Sequence, residues 1–236
     1  MNAKDSYDQG RLILQWLVRA TIVTAIFAVG LFVSAGTLPW VMGWVYILAF
    51  YANQVIVGAI LVPNNPQLAA ERTRLDRDAA PEWDRPLTGT VSLFGPLLTL
   101  IVAGLDHRWG GSVRLSPWLR GIGVTVGVAA QGLGIWAMAT NRYFDSFVRI
   151  ELEEGHQVIS SGPYRVIRHP GYAAGALYAL ATPLWLGALW AYAGSLVTIT
   201  AIVLRTALED RTLRVELPGY EAYTRRVSSR LIPGVW

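Results

Sequence analysis

Hydrophobic positions come in long blocks along this chain, separated by short polar stretches. Apolar runs of about the twenty residues a bilayer-crossing helix needs cover roughly 16–36, 40–62, 87–105, 118–139, 171–186 and 189–208. They predict an all-α integral membrane protein with about six transmembrane helices. Pro39 falls in the turn between the first two runs, and Pro96 is expected to kink the third. The fifth is short and interrupted by Pro183. A charge-free turn over 184–191 joins the last two runs, which predicts a C-terminal helical hairpin. The polar start over 1–11 leads into a run too long for a signal-peptide core and lacking a small-residue cleavage pattern, so it is read as a retained helix.

The largest polar insert lies near 63–86. Within it Leu68, Ala69 and Leu75 alternate with Glu71, Arg72 and Arg74, a pattern that predicts a short helix over 66–75 lying on the membrane surface. The chain therefore divides into residues 1–140, with four helices and this insert, and residues 141–236, with the hairpin and a polar tail. Gly123–Gly127 and Gly171–Gly175 have the spacing that lets membrane helices approach closely. No strand precedes a glycine-rich run, so a dinucleotide-binding fingerprint is unsupported.

Composition agrees with the block pattern. Hydrophobic residues make up 53% and charged residues 15% of the 236, against about 25% charged in soluble domains. Ten Trp and ten Tyr suit membrane interfaces. The net charge of +4 does not point to nucleic acid, because the basic residues sit between apolar runs. The N-terminal segment, the stretches 63–86 and 141–170, and the tail from Arg205 carry 17 of the 20 Lys and Arg; the opposite loops carry Arg108, Arg114 and Arg120. The positive-inside rule then predicts both termini in the cytoplasm. With no cysteine, disulfides, thiolate metal sites and cysteine nucleophiles are excluded. His107, His156 and His169 are dispersed, with His107 expected on the opposite side, so no metal site is expected.

Two stretches place costly polar groups near the bilayer. The first runs from His156-Gln157-Val158-Ile159 through Gly162-Pro163-Tyr164 to Arg168-His169-Pro170-Gly171-Tyr172. Gly162-Pro163 forces a turn, and Pro170 suits the first turn of a helix. Arg168 and His169 thus precede a helix N-terminus, whose free N–H groups favour an anionic ligand group. The second stretch is Arg205-Thr206-Ala207-Leu208-Glu209-Asp210. Arg205 and Glu209 share a helix face, and an ionisable residue at the edge of an apolar run is by default a functional-site candidate.

These two stretches, followed by Leu213, Leu217-Pro218-Gly219-Tyr220-Glu221-Ala222-Tyr223 and Leu231-Ile232-Pro233, resemble the signature of the isoprenylcysteine carboxyl methyltransferase family over about residues 140–236. The insert with Ala70-Glu71-Arg72 and Trp83-Asp84-Arg85 looks like one found in bacterial members, which implies a bacterial inner membrane. The resemblance implies S-adenosylmethionine as cofactor, with a pocket at the cytoplasmic face lined by His156, Gln157, Val158, Ile159, Gly162, Tyr164, Arg168, His169, Pro170, Gly171, Tyr172 and Glu209. It implies catalytic roles for Arg205, facing the methyl acceptor, and for Glu209. It further implies a lipophilic small-molecule acceptor entering from the bilayer, most simply the carboxylate of an isoprenylcysteine-like compound. Glu209-Asp210 stands where the family commonly has Glu-Glu. An upstream Gln of the family has only Arg149 or Glu151 as counterparts. Phospholipid N-methyltransferases share the Arg-His-Pro-x-Tyr motif, and NADPH-dependent membrane sterol or enone reductases have similar C-terminal sequences. Both stay open as alternatives, as does a helical scaffold or transporter without chemistry. Oligomeric state is not read from the sequence.

Overall fold

The structure is a computed structural model and describes residues 9–74, 81–110, 115–144 and 157–236. Among these it is all-α. Helix α1 (Gln9–Ala35) and α2 (Val41–Asn64) are followed by the short α3 (Pro66–Arg74). Then α4 (Asp84–Gly89), a π-helical segment (Thr90–Phe94) and α5 (Gly95–Trp109) form one continuous rod. Helix α6 (Pro117–Thr140), α7 (Pro170–Leu186), α8 (Tyr192–Glu216) and the short α9 (Tyr220–Arg226) complete the order. Five of these units are long and apolar enough to cross a membrane: α1, α2, the α4–α5 rod, α6, and the unit over Leu189–Glu216 that contains α8. This is an integral membrane protein.

The expected fifth span is α7. It has 17 residues, about 25 Å of helix, somewhat short of the roughly 30 Å hydrocarbon core. Its short length is accommodated by its neighbours rather than by lipid. Trp185 and Leu186 at its end are buried, and Gly187 ends it in the left-handed conformation (φ +70°) at the turn toward α8.

The kink expected at Pro96 takes the form of the π segment. Proline has no N–H to donate and its ring crowds the carbonyl four residues back. Widening the preceding turn relieves this, and the Gly95 N–H reaches the Thr90 carbonyl five residues back. Helix ends also extend beyond the apolar runs. Helix α1 already includes the seven described residues before its run, and α8 continues past Glu209 and Asp210 to Glu216, so Arg205 and Glu209 lie within the helix body.

Phe27, Leu31, Phe32, Trp40, Tyr46, Leu100 and Trp185 form the main core where α1, α2, α5 and α7 meet. The Gly123–Gly127 spacing serves close packing as expected. A Cβ on Gly123 would lie 2.4 Å from the Trp185 backbone nitrogen, so α6 and α7 touch backbone to backbone. Ile22, Val29 and Val33 on α1 are 54–70% exposed and form a lipid-facing surface. Helix α3 is present as expected, but its apolar residues turn inward: Leu68, Ala69 and Ala70 pack against Leu12, Trp16, Leu61, Val62 and Met138.

Polar groups gather at both ends of the bundle. At one end His107 stacks on Trp40 (centroids 4.0 Å apart), the Trp190 N–H donates to Asp106 Oδ2 at 3.2 Å, and Arg120 lies against Gly187. At the other end the insert, the starts of α4 and α7, the last turns of α8 and the tail come together. His107 therefore lies at the end away from the two polar stretches, as expected.

Candidate active site

The C-terminal tail fixes the entrance to α7. The Arg168 and His169 N–H groups donate to the carbonyls of Ser229 and Arg230, both at 3.0 Å. Arg168 Nε and Nη2 donate to Asp210 at 2.7 and 3.2 Å, and its Nη1 donates to the carbonyls of Val227 and Ser228 at 2.7 and 2.6 Å. Asp210 is fully buried and also accepts from Arg214 Nε (3.2 Å), Arg230 Nε (3.0 Å) and the Tyr220 hydroxyl (3.1 Å). His169 Nε2 lies 3.4 Å from the same carboxylate. A single carboxylate thus ties together α7, α8, α9 and the tail. The guanidinium of Arg168, expected to meet a ligand, is engaged within the protein.

In front of this network lies a cavity of about 330 Å³, at the lower end of the usual range for small-molecule sites. Gln157, Val158, Ile159, Tyr164, Arg168, His169, Gly171, Tyr172, Arg205 and Glu209 all line it. Gly162 and Pro170 do not. Gly162 makes the turn (φ +54°) against Trp136 and Thr140, and Pro170 is buried in the first turn of α7. His156, Arg149 and Glu151 lie outside the described residues.

Glu209 and Arg205 reach the cavity from adjacent turns of α8. The Tyr172 hydroxyl donates to Glu209 Oε2 at 2.5 Å, and His169 Nδ1 lies 3.8 Å from Oε1. The guanidinium carbon of Arg205 sits 5.3 Å from the centre of the Tyr172 ring, within cation–π range. The insert also contributes: Arg205 Nε and Nη2 donate to Asp84 Oδ1 and Oδ2 at 2.7 and 3.1 Å. Both residues are buried.

Several lining residues escaped the sequence reading. Arg19 of α1, Arg72 of α3, Thr88 and Val91 of the α4–α5 rod, and Asn141, Tyr143 and Phe144 after α6 contribute one side. Leu213, Leu217, Tyr220 and Tyr223 contribute an apolar and aromatic wall. Phe144 is held by Arg72, whose Nη2 donates to its carbonyl at 2.5 Å and whose guanidinium lies 5.2 Å from its ring centre. That ring lies against Gly171, where an added Cβ would come within 2.4 Å of it. Gly171→Ala is therefore expected to push Phe144 off the cavity wall and cost about 1–3 kcal/mol, read as a lowered thermal midpoint. Adding Phe144→Ala in the same chain should recover most of the loss.

Tyrosine hydroxyls brace the wall. Tyr223 donates to the Tyr164 carbonyl at 2.7 Å, and Asn141 Nδ2 donates to the Tyr164 hydroxyl at 3.3 Å. Burial pushes Tyr223 up to about 12. Burial, aided by the negative charge of Asp210, pushes Tyr220 higher still. Their pKa values in the unfolded chain are about 10, so the unfolded state releases these protons first. The stability these groups supply is fully present below about pH 10 and is lost as pH rises through the folded values. Base titration should therefore show tyrosinate absorbance appearing together with loss of ligand binding, above about pH 10.

Residues 123–215, from the second turn of α6 to near the end of α8, match the model of the isoprenylcysteine carboxyl methyltransferase (ICMT) family. This stretch of the chain is similar to that family. It is similar to a probable protein-S-isoprenylcysteine O-methyltransferase of Oryza sativa subsp. indica, with 32% identity over 110 residues, covering 46% of this chain and 56% of that protein. The counterpart in subsp. japonica matches to the same extent. Protein-S-isoprenylcysteine O-methyltransferase B of Arabidopsis thaliana is 27% identical over 84 residues, 35% of this chain and 39% of that protein. The chain thus spans about half the length of the curated relatives it matches. The family match includes Tyr164 to Tyr172 and Arg205 to Asp210. Arg19, Arg72, Asp84, Tyr220 and Tyr223 stand outside it.

Proposed function

We propose that this protein transfers a methyl group from S-adenosylmethionine to the carboxylate of a lipophilic, isoprenylcysteine-like acceptor drawn from the bilayer. The observation that carries this reading is the convergence of Arg205 and Glu209 on the same cavity as the segment 157–172. The match of residues 123–215 to the isoprenylcysteine carboxyl methyltransferase family gives that convergence its meaning.

The donor set suits the cofactor. Glu209 offers a carboxylate to the ammonium of the methionine part. The first-turn N–H groups of α7 at Gly171 and Tyr172 have no intrahelical acceptor and can hold its carboxylate. Val158, Leu217, Tyr220 and Tyr223 supply an apolar, aromatic wall for the adenine. When bound, S-adenosylmethionine supplies an electrophilic methyl group. A carboxylate acceptor is ionised at neutral pH, so the protein needs no general base. Its residues have to align the acceptor and keep water out, through proximity and a fixed polar environment. Tyr172 serves both sides, holding Glu209 through its hydroxyl and lying beneath Arg205 with its ring. The Lys and Arg distribution supports a site on the cytoplasmic face, with both termini there.

An acceptor screen with labelled methyl donor tests the reading. Label should pass to N-acetyl-S-farnesylcysteine as a base-labile ester. Transfer to phosphatidylethanolamine alone would make the protein a phospholipid N-methyltransferase, and NADPH consumption without methyl transfer would make it a reductase.

A further inference from the structure

Among the described residues four arginines line the cavity, and two of them are matched by buried aspartates, Arg168 by Asp210 and Arg205 by Asp84. The third, Arg72, is engaged with Phe144. The fourth is Arg19, for which no hydrogen bond or ion pair to a described residue is found. It sits ten residues into α1, about 15 Å along the helix. Its neighbours Leu17, Val18 and Ile22 are exposed on the lipid side, whereas Trp16 and Ala20 are buried. Arg19 therefore stands at the seam between the lipid-facing surface and the interior, half-buried, with the cavity before it. A cation within an apolar helix is costly and by default functional.

Charge balance shows what it can do. The forked contact with Asp84 neutralises Arg205 and uses the two donors best placed for a bidentate grip on a carboxylate. Glu209 adds a negative charge to the same cavity. With Arg205 paired, a further cation at the lipid-facing seam is the group that would attract an anionic acceptor to this side of the site.

Resting on the methyl-transfer reading, we infer that Arg19 binds the carboxylate of the lipophilic acceptor where it enters from the bilayer. It thereby selects acids over neutral analogues, while Asp84 keeps Arg205 in place. Arg19 lies outside the matched family region, so this selectivity is set by the chain's own first helix.

The test is equilibrium binding of N-acetyl-S-farnesylcysteine and its carboxamide to the full chain in lipid nanodiscs, without turnover. Wild type should prefer the acid by about ten- to hundredfold, the worth of one charge-assisted hydrogen bond. Arg19→Gln should abolish the preference by weakening the acid alone, and Arg19→Lys should restore part of it. Unchanged amide affinity reports that the variant is folded. Three results would overturn the inference: no acid preference in wild type, an unaltered preference in Arg19→Gln, or equal weakening of acid and amide. An Arg19 dependence seen for phosphatidylethanolamine but not for the acid would overturn it too. Failure of S-adenosylhomocysteine to bind while the acid preference survives would sink the methyl-transfer reading and leave the anion site standing.

Discussion

Replacing Asp210 with Ala is expected to lower the stability of the solubilised protein by about 3–5 kcal/mol, the usual cost of removing one partner from a buried ion pair. The reason is asymmetry. The side chain of Arg168 is 2% exposed and cannot recover its lost partner from solvent. Arg214 and Arg230 are 38% and 28% exposed and can rehydrate, so they contribute less. His169 and Tyr220 lose an acceptor as well. Because the Arg168–Asp210 pair anchors the tail to the start of α7, ligand binding should fall along with stability. Asp210→Asn keeps the shape but removes the charge, and should lie between wild type and Asp210→Ala. Thermal unfolding of the three proteins in one detergent checks the order.

The second large effect concerns Arg205 and Asp84. Arg205→Ala takes the forked cation from the buried carboxylate of Asp84, and Asp84→Ala takes the forked carboxylate from the buried guanidinium, so each should cost roughly 3–5 kcal/mol. The double variant should be less destabilised than the sum of the two, because it removes both charges of the coupled pair together. Turnover behaves differently. If Arg205 faces the methyl acceptor, as the resemblance implies, both single variants and the double should lose activity by about a hundredfold or more. Arg205→Lys restores the charge without the fork and should recover stability more than rate. A double-mutant cycle in unfolding, with methyl transfer measured on the same samples, separates the two roles. Additive stability losses would mean that the pair is not coupled.

The membrane-embedded architecture was legible from hydropathy because the apolar runs are long and few charges interrupt them. Helix ends were not legible wherever charges are paired inside the protein. Helix α8 looked finished at Glu209-Asp210, but Asp210 meets three arginines and a tyrosine there, so its charge does not end the helix. Gly123 and Gly127 were readable because close helix contact leaves a local spacing. The site was legible in its two local stretches, whose spacing along the chain survives as proximity in space. Its other side was not. Asp84 and Arg205 are 121 residues apart, and nothing near either one announces the other. Arg168 read as a ligand-binding cation because its acceptors, Asp210 and the carbonyls of Val227 and Ser228, come from distant parts of the chain. Arg19 was visible as a charge inside an apolar run, yet by position alone it counted only toward the sidedness of the N-terminus.

Calorimetric titration of S-adenosylhomocysteine into the purified full chain tests the central claim most directly. Wild type should bind at one site. Glu209→Ala should lose that binding at a small cost in thermal midpoint, because the Glu209 side chain is 21% exposed and the main loss inside the protein is the acceptor of the Tyr172 hydroxyl. Absence of binding to wild type, or undiminished binding to a folded Glu209→Ala, would contradict the assignment of this cavity to S-adenosylmethionine.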